Sequence, residues 1–219
     1  MDKEALEGII GRLKYLRGIG IGELPFTSKE KRLKGIGTEV TMCKICPLHR
    51  ERKNAVCGKG NSNAAVLFAG GVPSGEDDAA GEPFTGGEGE QLANIIKAMG
   101  LETRDAYITN VIRCRPSGNR KPAPEEFSLC MPYLEREVDT IGPAVIVLLG
   151  DVPTRAVLGG EEGVGERRGR FHLYRGVKLM PTHGISSLLE RPELKKDVWH
   201  DIQMVMGEIR EREIDRGRL

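Results

Sequence analysis

Residues 144–149, Ala144-Val145-Ile146-Val147-Leu148-Leu149, stand just before Gly150 and decide the fold. An unbroken apolar run this short is not a helix. It also lacks the alternation of a strand with one wet face. It reads as a strand of a parallel sheet, buried on both faces. Working outward, comparable segments recur at 64–69 (Ala-Ala-Val-Leu-Phe-Ala), 106–111 (Ala-Tyr-Ile-Thr-Asn-Val) and 177–181 (Val-Lys-Leu-Met-Pro). Helical stretches fill the intervals. They are Gln91–Met99 before Gly100, Pro124–Thr140 with Glu125 and Glu126 at its positive end, and Val152–Leu158 with Pro153 in its first turn. A longer one, Pro192–Arg212, carries Trp199. This alternation predicts an α/β fold: a three-layer sandwich with a central, mostly parallel four-stranded sheet and helices on both faces.

Upstream, Leu6, Ile9, Ile10, Leu13 and Leu16 have the spacing of an amphipathic helix over 1–17. The Gly- and Lys-rich stretch Gly18–Thr41 reads as a connecting arm. The expected organisation is therefore a helix and arm over 1–40 and one domain over 41–219. A chain of 219 residues can bury one such core. Hydrophobic content of 39% and charged content of 30% are those of a soluble globular protein. No apolar run reaches membrane-spanning length, and the first residues are charged, without a secretory apolar region. A cytoplasmic monomer with no membrane partner is expected.

The net charge of +1 conceals a segregation. Between Gly60 and Ile96 there is no Lys or Arg, yet Glu76, Asp77, Asp78, Glu82, Glu88 and Glu90 lie there. Basic residues gather at Lys44, Arg50, Arg52 and Lys53, at Arg113, Arg115, Arg120 and Lys121, and at Arg167, Arg168 and Arg170. Two of these groups flank cysteines: Cys43 and Cys46 form a C-x2-C pair, and Cys114 and Cys130 have fifteen residues between them. In a reducing compartment such pairs read as metal ligands rather than disulfides. Four thiolates suit zinc or an iron–sulfur cluster equally. A centre joining the two pairs would also join their basic neighbours into a patch suited to phosphates. A solvated charged surface is the plainer alternative.

Ligands of an open parallel sheet bind beyond the carboxyl ends of its strands. There the chain places Gly70-Gly71-Val72-Pro73-Ser74-Gly75-Glu76-Asp77-Asp78, then 81–87, Asn110, Gly150 and Thr182-His183-Gly184. Glycines allow close backbone approach, Phe84 offers a flat apolar face, Asn110 a donor and an acceptor, and His183 a titratable ring. Taken singly, each is as readily a turn-former, a cap or a core residue.

Several segments together resemble the family 4 uracil-DNA glycosylases, the iron–sulfur members of their superfamily. They are 43–50 (Cys-Lys-Ile-Cys-Pro-Leu-His-Arg), 54–60, 81–86 (Gly-Glu-Pro-Phe-Thr-Gly), 107–126 (from Tyr-Ile-Thr-Asn-Val-Ile-Arg-Cys-Arg-Pro), 130–137 and 168–172 (Arg-Gly-Arg-Phe-His). The resemblance implies a [4Fe-4S] cluster held by Cys43, Cys46, Cys114 and Cys130, with Cys57 outside it. It implies that Phe84 stacks on an extruded uracil, that Asn110 reads the base edge, and that Gly70, Gly71 and Pro73 border the base. The implied reaction is excision of uracil, or a related deaminated base, from single- or double-stranded DNA by base flipping. Asp77, Asp78 and His183 are the catalytic candidates.

Two departures bear on catalysis. The family motif G-E-A-P-G-x-x-E-D is here Gly-Gly-Val-Pro-Ser-Gly-Glu-Asp-Asp over 70–78, so Gly71 replaces a glutamate and Ser74 a glycine, while Asp77 stands for the later glutamate. The motif P-T-[YF]-H-P-[AS]-x-L-L-R aligned from Pro181 puts His183 on the aromatic position, Gly184 on the histidine and Glu190 on the arginine. Reduced activity is therefore expected. A catalytically weak DNA-binding module of the same fold is the alternative, and a zinc-ribbon-like nucleic-acid adaptor a more remote one.

Overall fold

A computed structural model of the chain describes Tyr15 and residues 28–215. The helix expected over 1–17 lies outside these residues, Tyr15 excepted. The run 145–149 is a strand, as read, and every residue of it is buried. Among the described residues the sheet has six strands rather than the expected four. They are β1 (Lys59–Gly60), β2 (Val66–Gly70), β3 (Tyr107–Asn110), β4 (Val145–Leu149), β5 (His172–Tyr174) and β6 (Val177–Thr182), in the order β1-β3-β2-β4-β6-β5. The four expected strands form the parallel centre, with Phe68 beside Ile108 on one side and Val147 on the other, and Val147 beside Met180. The two strands missed in the sequence are antiparallel edges two and three residues long. They are too brief to carry a period. The β5–β6 hairpin turns on Arg175 and Gly176, both at positive φ (51° and 76°), as a two-residue hairpin favours.

Eight α-helices are described: α1 (Lys29–Met42), α2 (Gly75–Ala80), α3 (Gly86–Ala98), α4 (Pro124–Ile141), α5 (Asp151–Leu158), α6 (Val164–Arg167), α7 (Ile185–Glu190) and α8 (Lys195–Asp215). Alternate residues of each central strand enter two separate apolar clusters. Leu67, Ala69, Ile146, Leu148 and Leu179 pack with Ile36 and Val40 of α1 and with Leu134 and Val138 of α4. Val66, Phe68, Val145, Val147 and Met180 pack with Leu92 of α3, Leu188 of α7 and Ile202 and Val205 of α8. Helices thus cover both faces of the sheet. None of the described helices is long and apolar enough to cross a membrane.

Helix α1 corrects the reading of Gly18–Thr41 as an arm. Leu33, Ile36 and Val40 form one stripe, and Ile36 and Val40 are only 3% and 1% exposed. Burying each is worth about 1.5–3 kcal/mol. That outweighs roughly 0.5–1 kcal/mol lost at each of Gly35 and Gly37. Ser28 caps the helix by accepting from Lys31 N at 3.2 Å. The helix then delivers the chain directly to Cys43.

Candidate functional site

The loops beyond the carboxyl ends of β2, β3, β4 and β6 enclose a cavity of about 380 Å³. Its wall includes Gly70, Gly71, Asp77, Phe84, Glu88, Asn110, Asp151, Val152 and Gly184. Gly70 is required by its neighbours. A Cβ there would lie 2.3 Å from Asn110 Oδ1 and 2.6 Å from Phe84 Cζ. Phe84 itself stands at φ 53°, a backbone state worth about 1–3 kcal/mol of strain. Asp77 holds it there. Its Oδ1 accepts from Thr85 N (2.7 Å) and Thr85 Oγ1 (2.8 Å), and its Oδ2 from Ser74 N (3.1 Å). One carboxylate thus pins the turn after β2 to the start of α3 and presents the ring between them. Asn110 is 2% exposed, and its Nδ2 has no hydrogen-bond partner in the protein. A buried amide left without an acceptor costs about 1–3 kcal/mol, so it points to a ligand.

The other candidates are placed differently. Asp78 accepts from Lys53 N at 2.9 Å and Asn54 N at 3.4 Å, away from the cavity wall, and so braces the preceding loop. Pro73 is buried and does not line the cavity. His183 also lies off the wall, with its Nε2 3.4 Å from Asp197 of α8. A Cβ on Gly71 would lie 2.9 Å from Val152 Cβ, so valine occupies the space a glutamate would need. Gly184 is open: the nearest atom to an added Cβ is Gly150 Cα at 3.5 Å.

Packed against the apolar cluster that holds α1 and α4, Cys43, Cys46, Cys114 and Cys130 line a second, small cavity with Arg52, Arg113 and Tyr133. None of the five cysteines is in a disulfide. Arg52 ties the two pairs together. It donates to Cys114 Sγ at 3.0 Å and to the carbonyls of Thr41 (2.9 Å) and Cys43 (3.1 Å) at the end of α1. Burial pushes the Cys114 thiol up and that of Cys130 to about 11, against the pull of Arg52 and Arg113. Among the described residues no three Cys, His, Asp or Glu side chains converge closely enough for one metal ion.

Residues 57–203 match the family model described as the uracil DNA glycosylase superfamily. Type-4 uracil-DNA glycosylases are similar over most of their length. That of Saccharolobus solfataricus is 36% identical over 78% of this chain and 83% of its own. That of Sulfurisphaera tokodaii is 36% identical over 79% and 83%. That of Archaeoglobus fulgidus is 35% identical over 81% and 92%. The chain belongs to the uracil-DNA glycosylase superfamily. It takes its place there beside the type-4 members, as a hydrolase of N-glycosyl bonds.

In this glycosylase part of the expected basic patch is committed to acids of the fold, while Lys44, Arg50, Lys53 and Lys121 stand exposed. Arg113 is 2% exposed and pairs with Glu137 at 2.7 Å, where Tyr107 and Thr109 hydroxyls also donate. Arg120 bridges Glu51 (3.1 Å) and Glu126 (2.8 Å), and Arg168 holds the fully buried Asp201. Arg115 bonds the neutral Asn119 amide instead. Each of these arginines adjoins a turn that needed an anchor, which a charge count does not reveal. The glycosylase also carries Glu88 and Asp151 on its cavity wall, which the sequence reading passed over. Glu88 was named only as one member of an acidic run. Only the 3.6-residue turn of α3, starting at Gly86, aims it inward.

Proposed function

We propose that the protein excises uracil from DNA, at a rate below that of members with the full motifs. The observation that carries this reading is the unpartnered, buried Asn110 amide beside the Phe84 ring, over a floor of glycine. Gly70 lets the ring and the amide pack close together, and a flat heterocycle can stack on the ring's cavity face. The amide donates to a carbonyl oxygen at the base's C4 and accepts from its N3–H, a pattern cytosine reverses. Flipping delivers the base there. As the glycosidic bond breaks, negative charge grows on the leaving base, and donors at the cavity wall stabilise it. Gly184 provides no imidazole and His183 faces Asp197, so one such donor is missing. The expected penalty is about 2.7–4 kcal/mol in barrier height.

The DNA strand is proposed to run along a groove next to the cavity. Val152 belongs to both, and Lys121, Pro122, Phe127 and Arg155 line the groove. Rigid apolar faces flanked by cations suit unstacked bases and phosphates. The four cysteines are proposed to hold a [4Fe-4S] cluster that joins α1 to α4. Support comes from their shared cavity and the Arg52 bond to Cys114. A cytoplasmic monomer is the accompanying proposal.

The test is a cleavage assay on single- and double-stranded oligonucleotides holding uracil, hypoxanthine or xanthine, using protein purified without oxygen. Release of uracil that Asn110→Ala abolishes is expected, from brown protein whose colour Cys114→Ala removes. Binding to DNA with no base released from any substrate would favour the binding-module reading, which the Gly71 and Gly184 positions support. Colourless protein holding one zinc would overturn the cluster.

A further inference from the structure

We propose that Glu88 is the carboxylate that handles the attacking water, a role resting on the excision reading above. Three carboxylates line the cavity: Asp77, Glu88 and Asp151. Asp77 already accepts three hydrogen bonds from Ser74 and Thr85. Asp151 Oδ1 accepts from Val164 N at 2.7 Å and so fastens the start of α6. Glu88 accepts no hydrogen bond among the described residues. What acts on it is burial first, then the charges of Asp77 and Glu76, and together they push its carboxyl above the usual glutamate range. It stands in the first turn of α3, four residues after Phe84. The two residues before it, Gly86 and Gly87, carry no side chain to shield it. The position where related motifs hold a glutamate is closed here, because Val152 fills the space beside Gly71. The cavity therefore retains one uncommitted carboxylate, supplied by a different element.

The chemistry balances as follows. The C1′–N1 bond breaks with its electron pair leaving on the base. The water oxygen bonds to C1′ of the cationic sugar. Glu88 takes the water's proton and passes it to solvent, and the base anion gathers a proton from solvent. A base of this kind works only when ionised, so the rate should rise as pH passes up through the Glu88 titration. That rise should fall above the ordinary glutamate value of about 4.3. Charged groups around Glu88 are Asp77 and Glu76 of α2, with Asp151 of α5 on the same cavity wall.

The experiment is single-turnover release of uracil from an oligonucleotide by the full chain across roughly pH 5 to 9. Glu88→Gln should lose on the order of 10²- to 10⁴-fold in rate and flatten the acid limb. Its affinity for the oligonucleotide, read by fluorescence anisotropy, should stay within a few-fold. Glu90→Gln, an exposed neighbour on the same helix, should match the unmodified protein. A Glu88→Gln variant with normal rate and acid limb would overturn the proposal while leaving the excision reading intact, provided that Asn110→Ala is inactive. Release of no base by the unmodified protein would overturn both. Should Glu88→Gln fail to fold, Glu88→Asp replaces it: a partial rate with a displaced acid limb supports the role, and an unchanged profile refutes it.

Discussion

Gly71 and Val152 form a matched pair, and the pairing constrains any attempt to restore the family motif. A side chain at 71 meets Val152 Cβ at 2.9 Å, an atom fixed to the backbone of α5. Overpacking of this kind costs about 1–3 kcal/mol. Gly71→Glu alone should therefore lower the melting temperature without raising the excision rate. Adding Val152→Gly, which removes that atom, should recover part of the stability, and Gly184→His should fit without strain. Equal melting temperatures for the single and double variants would contradict this. Phe84 and Asn110 were legible in the sequence because the ends of parallel strands are where ligands collect. The partner of His183 was not, since Asp197 reaches it from a helix that begins eleven residues after Gly184. A side chain's direction there is a tertiary fact, invisible to a motif.

Among the elements, α4 does the most to organise the molecule. It carries Cys130 toward the second cavity and Glu137 toward β3, where Arg113, Tyr107 and Thr109 surround the carboxylate. Removing one partner of such a buried pair costs about 3–5 kcal/mol. Glu137→Ala should lose stability on that scale in urea unfolding, and an Arg113→Met, Glu137→Leu double variant should recover much of it. A loss below about 1 kcal/mol would place the pair nearer solvent than its 2% exposure indicates. The central strands were readable as short apolar runs buried on both faces, and the long helices because each carries a period over many residues. Helix α1 was not, because charged residues, threonines and glycines dominate it and only three apolar residues mark its buried stripe. The short helices α2, α6 and α7 have too few residues to express a period at all.

For the whole molecule, charge matters where it remains uncommitted. With Arg113, Arg120 and Arg168 held by acids of the fold, the DNA reading rests on the exposed cations, of which Lys121 and Arg155 lie beside the cavity. Reversing both charges should weaken oligonucleotide binding for all sequences alike. It should also reduce the salt slope by roughly one for each phosphate no longer neutralised, read by anisotropy titrations over a range of salt. A slope unchanged by both reversals would move the strand to another face. The shape of the sheet bears on a separate matter. Its borders are β1 and β5, two and three residues long, and neither offers a run of unsatisfied peptide groups. An incoming strand from a neighbouring molecule would gain only a few ladder bonds before the backbone turned away. The chain is thus guarded against edge-to-edge fibre growth at high concentration, by brevity at its margins rather than by charge.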